Sequence, residues 1–175
     1  MLHISNHTRL ICGIILITVP TIEFGGMFLL KMLRTREPGY LDNPIRQNLF
    51  RAGHAHAGVI VILSLVCEVL TDAIILPGPL EVFVRAGIPS AAILIPAGFF
   101  LSVLSPRAEK PNGAILLVYV GAVVLAIAVL ILGVGLLRAG LASGANPETC
   151  EAAGGHCRRS AVLTSLQLES QSMIW

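Results

Sequence analysis

The chain has 175 residues, of which 55% are hydrophobic and only 13% are charged. Soluble domains carry roughly 25% charged residues, so this composition excludes a soluble globular protein. The charges are also clustered, and residues 111–137 contain none. Such a chain cannot present a nucleic-acid-binding surface, and its net charge of +2 indicates no particular partner.

Four segments reach the length of about 20 mostly apolar residues that a helix needs to cross a membrane. They are residues 10–33, 53–76, 86–104 and 114–137. The first segment lacks the small-residue cleavage pattern of a signal peptide, so we interpret it as a retained helix. The sequence therefore predicts an all-α, four-helix transmembrane bundle over residues 1–140, surrounded by the lipid bilayer. Residues 141–175 are predicted to form a short, flexible extramembrane tail.

The connections between the spans carry turn signals and most of the charge. The first loop, residues 34–51, is polar and contains two proline turns. Pro77, Gly78 and Pro79 end the second span. Residues 80–85 are too short to span and are predicted to lie at the membrane interface.

The positions of Lys and Arg predict the orientation of the bundle. The first loop and the third, residues 105–113, must share one side, and six Lys and Arg residues in them make seven with Lys31 at the end of the first span. Only three basic residues lie close to the membrane on the other side: Arg9, Arg85 and Arg138. The bias predicts a protein of the cell (inner) membrane with both termini outside and these two loops in the cytoplasm.

Three acidic residues fall within or at the end of the predicted spans, where an ionisable group is costly and therefore a functional candidate. Glu23 lies near the middle of the first span. It either joins helices through a hydrogen bond or has a proton-transfer or ligand role. Glu68 and Asp72 follow His54 at spacings that place all three on one helical stripe. We expect the three acids to be buried in the bundle interior.

The second span opens with Gly53-His54-Ala55-His56-Ala57-Gly58, the most informative pattern in the chain. Histidine is the commonest metal ligand, and the small neighbours would let a flat group approach the backbone. The alternative interpretation is that one histidine only bonds a backbone carbonyl at the membrane surface.

The spacing restricts how His54 and His56 can act together. On a regular helix their side chains project about 200° apart, so both can bind one metal only if the helix is frayed at its glycines. Met27 and Met32 are further candidate ligands in the first span. Histidine with methionine suits haem, and the same pair suits copper. The second axial ligand could instead be a histidine of another copy of the chain.

The segment from Glu23 to this His-Ala-His motif resembles small four-helix membrane proteins related to the catalytic subunit of haem–copper oxidases. In those proteins a His-x-His motif heads a transmembrane helix, and a histidine there is a haem ligand. The resemblance implies that His54, His56 or both bind haem, and copper is the alternative that histidine and methionine ligands suggest. The third and fourth spans contain no histidine. Oxygen reduction by this chain alone is therefore not expected.

Two cysteines in the tail, Cys150 and Cys157, enclose a short loop that contains His156. On the outer side of a membrane this spacing favours a local disulfide. The alternative is a weak metal site that includes His156, although three ligands fall short of a closed zinc site.

Together these patterns favour an integral membrane protein that binds haem or copper and serves redox chemistry or cofactor handling. The main alternative is a small proton- or ion-translocating or accessory subunit that has no cofactor of its own. A purely structural partner of a larger complex is the third interpretation. Either a homodimer or a larger membrane complex is compatible with the sequence.

Overall fold

The computed structural model describes residues 4–144, and this part of the chain is helical, with no strand. Its elements are α1 (Asn6–Arg34), α2 (Pro38–Leu41), α3 (Pro44–Thr71), α4 (Gly78–Ser102), a 3₁₀ turn (Gly113–Ile115) and α5 (Leu116–Gly144). Four of the helices (α1, α3, α4 and α5) are long and apolar enough to cross a membrane. The predicted all-α four-helix fold is confirmed.

Helix α3 begins well before the predicted start of the second span at residue 53. Asn43 caps the helix by accepting a hydrogen bond from the backbone N–H of Arg46, and Pro44 occupies the first position, where its fixed φ suits a helix. The helix is unbroken to Thr71. His54 therefore lies about 15 Å from the helix start, so the motif opens the apolar part of α3 and does not begin the helix.

Helix α4 also begins earlier than predicted, because residues 80–85 form its first turns and do not lie apart at the interface. Pro79 falls in the first turn, where its missing N–H is tolerated. Glu81 places a negative charge near the helix N-terminus, which the helix dipole favours. The early start brings Arg85 into the helix, where it faces α3 and α1.

The first and third loops meet at one end of the bundle, as predicted. The side-chain amide of Asn43 donates hydrogen bonds to the carbonyls of Pro106 and Ala108. Arg46 donates from Nε to the carbonyl of Val103 and covers the ring of Phe50. These bonds satisfy loop carbonyls beside the core cluster of Leu29, Met32, Tyr40, Phe50 and Val103.

Glycines allow α4 and α5 to pack closely. A Cβ at Gly98 would lie 2.7 Å from the backbone nitrogen of Val118. A Cβ at Gly121 would lie 2.7 Å from Cγ1 of Ile95 and 3.0 Å from Cβ of Leu94. Small residues at such contacts are the usual way in which membrane helices gain packing area.

We expect Gly121→Ala to destabilise the bundle by about 1–3 kcal/mol, the usual cost of overpacking. Gly133→Ala on the same helix is the matched control, because a Cβ there would meet nothing within 4 Å. It should be neutral or stabilising by up to about 1 kcal/mol through helix propensity. The midpoint of thermal unfolding, followed by the helical circular-dichroism signal, should therefore fall for Gly121→Ala and stay the same or rise for Gly133→Ala. A shared direction would show that the two helices do not meet at Gly121.

Helix α1 is the least buried of the long helices. Only Thr8, Ile15, Leu29 and Met32 of its residues are buried. Its other large apolar side chains are mostly exposed on the surface of the single chain. Helix α1 therefore contacts its neighbours along one narrow stripe.

Candidate functional site: a cavity at His54 and a buried charge cluster

A cavity of about 390 Å³, open towards the outer surface, lies between α1, α3 and α4, and His54 lines it. This volume falls in the lower part of the range of roughly 300–1,000 Å³ that is typical of small-molecule sites. Most of its wall is apolar, and four polar side chains contribute to it. These are Thr18 and Thr21 of α1, and His54 and Ser64 of α3.

The imidazole of His54 is half-buried and packs against the backbone of α1. A Cβ at Gly26 would lie 3.1 Å from both Nε2 and Cε1 of this ring, and one at Gly25 would lie 3.7 Å from Nδ1. The imidazole of His54 therefore packs directly on the backbone of α1 at Gly25 and Gly26. A side chain at Gly26 would displace the ring.

The three hydroxyl groups of the cavity already have partners within their own helices. Thr18 donates to the carbonyl of Ile15, Thr21 to that of Thr18, and Ser64 to that of Ile60. Among the described residues that line the cavity, only His54 has a polar side chain without a hydrogen bond to the protein. It is the side chain most available to a ligand.

Two prolines of α4 shape the opposite wall. Pro89 and Pro96 both lie inside the helix and both line the cavity. A proline has no N–H and displaces the carbonyl four residues earlier, which here belongs to Arg85 and Ala92. Such breaks open space beside a helix, and they are tolerated in a membrane where neighbouring groups satisfy the freed backbone.

His56 does not share this environment. Its side chain is exposed, and its ring packs on that of Phe99, with the centroids 5.2 Å apart. Nδ1 lies 2.7 Å from the carbonyl oxygen of Ala52 and donates to it, because a carbonyl can only accept. In the neutral ring Nε2 therefore carries the free lone pair.

The continuity of α3 separates the two histidines. No fraying occurs at Gly53 or Gly58, so His54 faces α1 while His56 lies beside α4. Within residues 4–144, no three or more His, Cys, Asp and Glu side chains are grouped so that they could hold a metal ion. In the described part of the chain the two imidazoles therefore do not converge on one point.

The remaining candidates of the first span are not part of the cavity. Met27 is 62% exposed, and Met32 is buried in the core cluster near the first loop. Neither lines the cavity beside His54. Glu23 is exposed on the outer surface of α1, so the prediction that it is buried is wrong for the single chain.

The other two acids are buried, as predicted, and they share one cation. Glu68 is 2% exposed, and its Oε2 lies 3.0 Å from Nη1 of Arg85. Oδ1 of Asp72 lies 2.7 Å from Nη2 of the same guanidinium. The third pair joins Nε of Arg85 to Oε1 of the half-exposed Glu81, at 2.9 Å. Arg85 thus uses both edges of its guanidinium on three carboxylates.

Helix α1 joins this cluster through its first turn. Arg85 also donates to the hydroxyl of Thr8, at 2.8 Å, and the backbone N–H of Ser5 donates to Oδ2 of Asp72, at 2.9 Å. The carboxylate of Asp72 is thus held by the guanidinium of Arg85 and by the backbone N–H of Ser5.

Arg85 is the residue that the sequence analysis missed, since it was assigned to an interfacial segment. A signal was available: it is the only Lys or Arg between Arg51 and Arg107. Two buried acids on one stripe require a cation, and no other lies in these two spans.

Some predictions fall on residues outside the described range. They concern Cys150, Cys157 and His156, and with them the predicted disulfide, as well as the flexible tail. Among the described residues, Cys12 and Cys67 are free thiols.

No protein-family model, no curated protein and no solved structure matches the chain.

Proposed function

We propose that the chain is an integral membrane protein that binds haem in the cavity between α1, α3 and α4, where His54 would hold the iron. Its role would be redox chemistry or the handling of the cofactor. One observation carries the proposal: the imidazole of His54 is the only polar side chain of the described cavity lining without a hydrogen bond to the protein.

The residues around the cavity suit such a group. The walls are largely apolar, as the face of a macrocycle requires, and the absence of side chains at Gly25 and Gly26 gives the imidazole room beside α1. Copper is less well supported than haem. Copper prefers several nitrogen or sulfur ligands together, whereas His54 and His56 diverge.

Each part of the site has a separate task. His54 would hold the iron, and the apolar walls would exclude water and thereby influence the redox potential. Haem, when bound, supplies one-electron chemistry. Since no methionine lines the cavity, Met27 and Met32 are not expected to hold the group within one chain.

The second candidate function is a proton- or ion-translocating or accessory subunit without a cofactor. One position in α3 favours it. Ser64 lines the cavity and lies one helical turn before Glu68, so the cavity approaches the charge cluster. In the structure, however, Arg85 engages both Glu68 and Asp72. A relay would have to break these pairs.

The optical spectrum of the full chain, purified in detergent and incubated with haem, distinguishes the two. We expect a Soret band with about one haem per chain. If elemental analysis finds copper and the spectrum has no Soret band, the bound cofactor is copper and not haem. If the protein holds neither, the cofactor proposal fails and the carboxylate alternative takes its place.

The proposed location is the cell (inner) membrane with both termini outside, on the basis of the Lys and Arg bias. Single cysteines at Asn43 and Ser170, in a chain whose four native cysteines are replaced, test this orientation. In intact cells an impermeant maleimide should label position 170 and leave position 43 unlabelled. The reverse labelling pattern would show that the termini lie inside.

A further inference from the structure

A carboxyl group lies on the outer surface of α1 at membrane depth. Glu23 is exposed, and it has no hydrogen bond or ion pair to any residue in the described part of the chain. It precedes Arg34, the end of α1, by 11 residues, which is about 16 Å along the helix. In a hydrocarbon core about 30 Å thick this is close to the midplane. A carboxyl there is costly unless a partner satisfies it.

A second exposed polar group lies at the same level on α3. The contact between Gly26 and His54 fixes how the antiparallel helices α1 and α3 align. Glu23 is three residues before Gly26, and His56 is two residues after His54. Both therefore lie further from the first loop, by about 4.5 Å and about 3 Å respectively.

The two groups lie on opposite flanks of one exposed side of α3. Residues two positions apart on a helix project about 200° from each other. Glu23 is two positions from both Thr21 and Gly25, which line the cavity, and His56 is two positions from His54, which lines it as well. Glu23 and His56 therefore both project away from the cavity. Glu23 projects about 60° from Gly26, which faces His54, so it lies at the α1 flank of α3. His56 lies at the α4 flank, against Phe99.

Their hydrogen-bonding chemistry is complementary. Because Nδ1 of His56 donates to the carbonyl of Ala52, Nε2 is left as an acceptor. A protonated Glu23 would donate to this nitrogen, and transfer of that proton would give a charge-assisted pair. Between them, the outer side of α3 presents the exposed residues Ala55 and Val59, and the small Ala55 permits close approach of another helix.

We propose that this side of α1 and α3 is a dimer interface, on which a second copy of the chain places its own Glu23 and His56. In a dimer whose two-fold axis runs parallel to the membrane normal, equivalent residues of the two copies lie at the same depth. Glu23 of each copy can then contact His56 of the other copy, which gives two symmetric contacts. The proposal does not depend on haem binding, because neither residue lines the cavity.

Cross-linking between two differently tagged chains tests the contact. Both chains lack the four native cysteines, one carries Glu23→Cys, and the other carries His56→Cys. In such a dimer one of the two symmetric Glu23–His56 pairs stays intact. A copper–phenanthroline oxidant in membranes should produce the disulfide-linked heterodimer.

Phe24→Cys replaces Glu23→Cys in the matched control, since Phe24 is exposed at nearly the same depth but projects about 100° away. This combination should give little product. Equal cross-linking from positions 23 and 24, or none from position 23, would overturn the proposed interface.

Self-association of variants in vesicles supplies an independent measurement. We expect Glu23→Leu to weaken dimerisation about tenfold through the loss of both symmetric hydrogen bonds. Glu23→Gln, which can still donate, should lose less. The reciprocal exchange, Glu23→His with His56→Glu, should restore association to near the wild-type level. If Glu23→Leu associates like the wild type, or if the exchange restores nothing, the pairing is wrong.

Discussion

His54→Ala is expected to remove essentially all bound haem, whereas His56→Ala should retain it. His54 lines the cavity and forms no hydrogen bond with any residue that the structure describes. His56 is exposed beside Phe99, and its Nδ1 is already bonded to Ala52. The two substitutions remove the same imidazole from one helix, so each is the matched control for the other.

The measurement is the Soret absorbance per chain after incubation of each purified full-length variant with haem. Helical circular dichroism establishes that the variants are folded. His56→Ala is also expected to weaken self-association through the proposed dimer contact. Dimerisation and haem content therefore report on different histidines.

Three other outcomes are informative. If both variants keep full haem content, the motif is structural and the haem proposal fails. If both lose the cofactor equally, the two imidazoles act together, which would require α3 to unwind near Gly53 and would favour copper. If only His56→Ala loses haem, the ligand lies on the outer face of α3 and the cavity is not the site.

The sequence predicts the number and class of the helices well because the signal is collective. Each span is an apolar run of about 20 residues, and no single substitution alters that pattern. The burial of Glu68 and Asp72 also follows from the sequence. Their spacing fixes a shared helical stripe, and the cost of an unpaired charge in hydrocarbon places that stripe inside.

The errors arise where the sequence pattern is degenerate. Helix α1 is apolar on nearly all sides, so its periodicity does not indicate which side faces the bundle. The position of Glu23 therefore could not be derived. The start of α3 was placed by hydropathy, yet the helix begins at the cap of Asn43 within a polar segment. Hydropathy indicates where a helix crosses a membrane, whereas caps determine where the helix begins.

The cavity could not be predicted from the sequence, because side chains of three helices form it together. Pro89 and Pro96 were recognisable as breaks in α4, but not as a wall opposite His54. Gly25 and Gly26 were recognisable as small residues, but their contact with His54 depends on how α1 aligns with α3. Such alignment is a tertiary property that helical periodicity does not specify.

Arg85→Met is expected to destabilise the protein by about 3–5 kcal/mol, because it removes the cation from a buried group of carboxylates. Glu68 and Asp72 have almost no access to solvent, so they would be left as neighbouring uncompensated charges. The guanidinium also holds Thr8. Since α1 buries few other residues, its attachment should be the first part of the bundle to loosen.

Arg107→Met is the matched control, since Arg107 is exposed in the loop after α4 and forms no ion pair among the described residues. Its expected effect is below about 1 kcal/mol. Chemical denaturation in detergent, followed by helical circular dichroism, should separate the two variants clearly. Equal stabilities would mean that the charge cluster does not hold the helices together.

A triple variant, Arg85→Met with Glu68→Gln and Asp72→Asn, distinguishes loss of the cation from loss of the pairs. Neutralising every member of a buried charge cluster leaves no uncompensated charge, whereas removing one partner alone is strongly destabilising. The triple variant should therefore recover most of the stability that Arg85→Met loses. If it is as unstable as Arg85→Met alone, the guanidinium acts through packing and its bond to Thr8, because charge compensation would then no longer explain the loss.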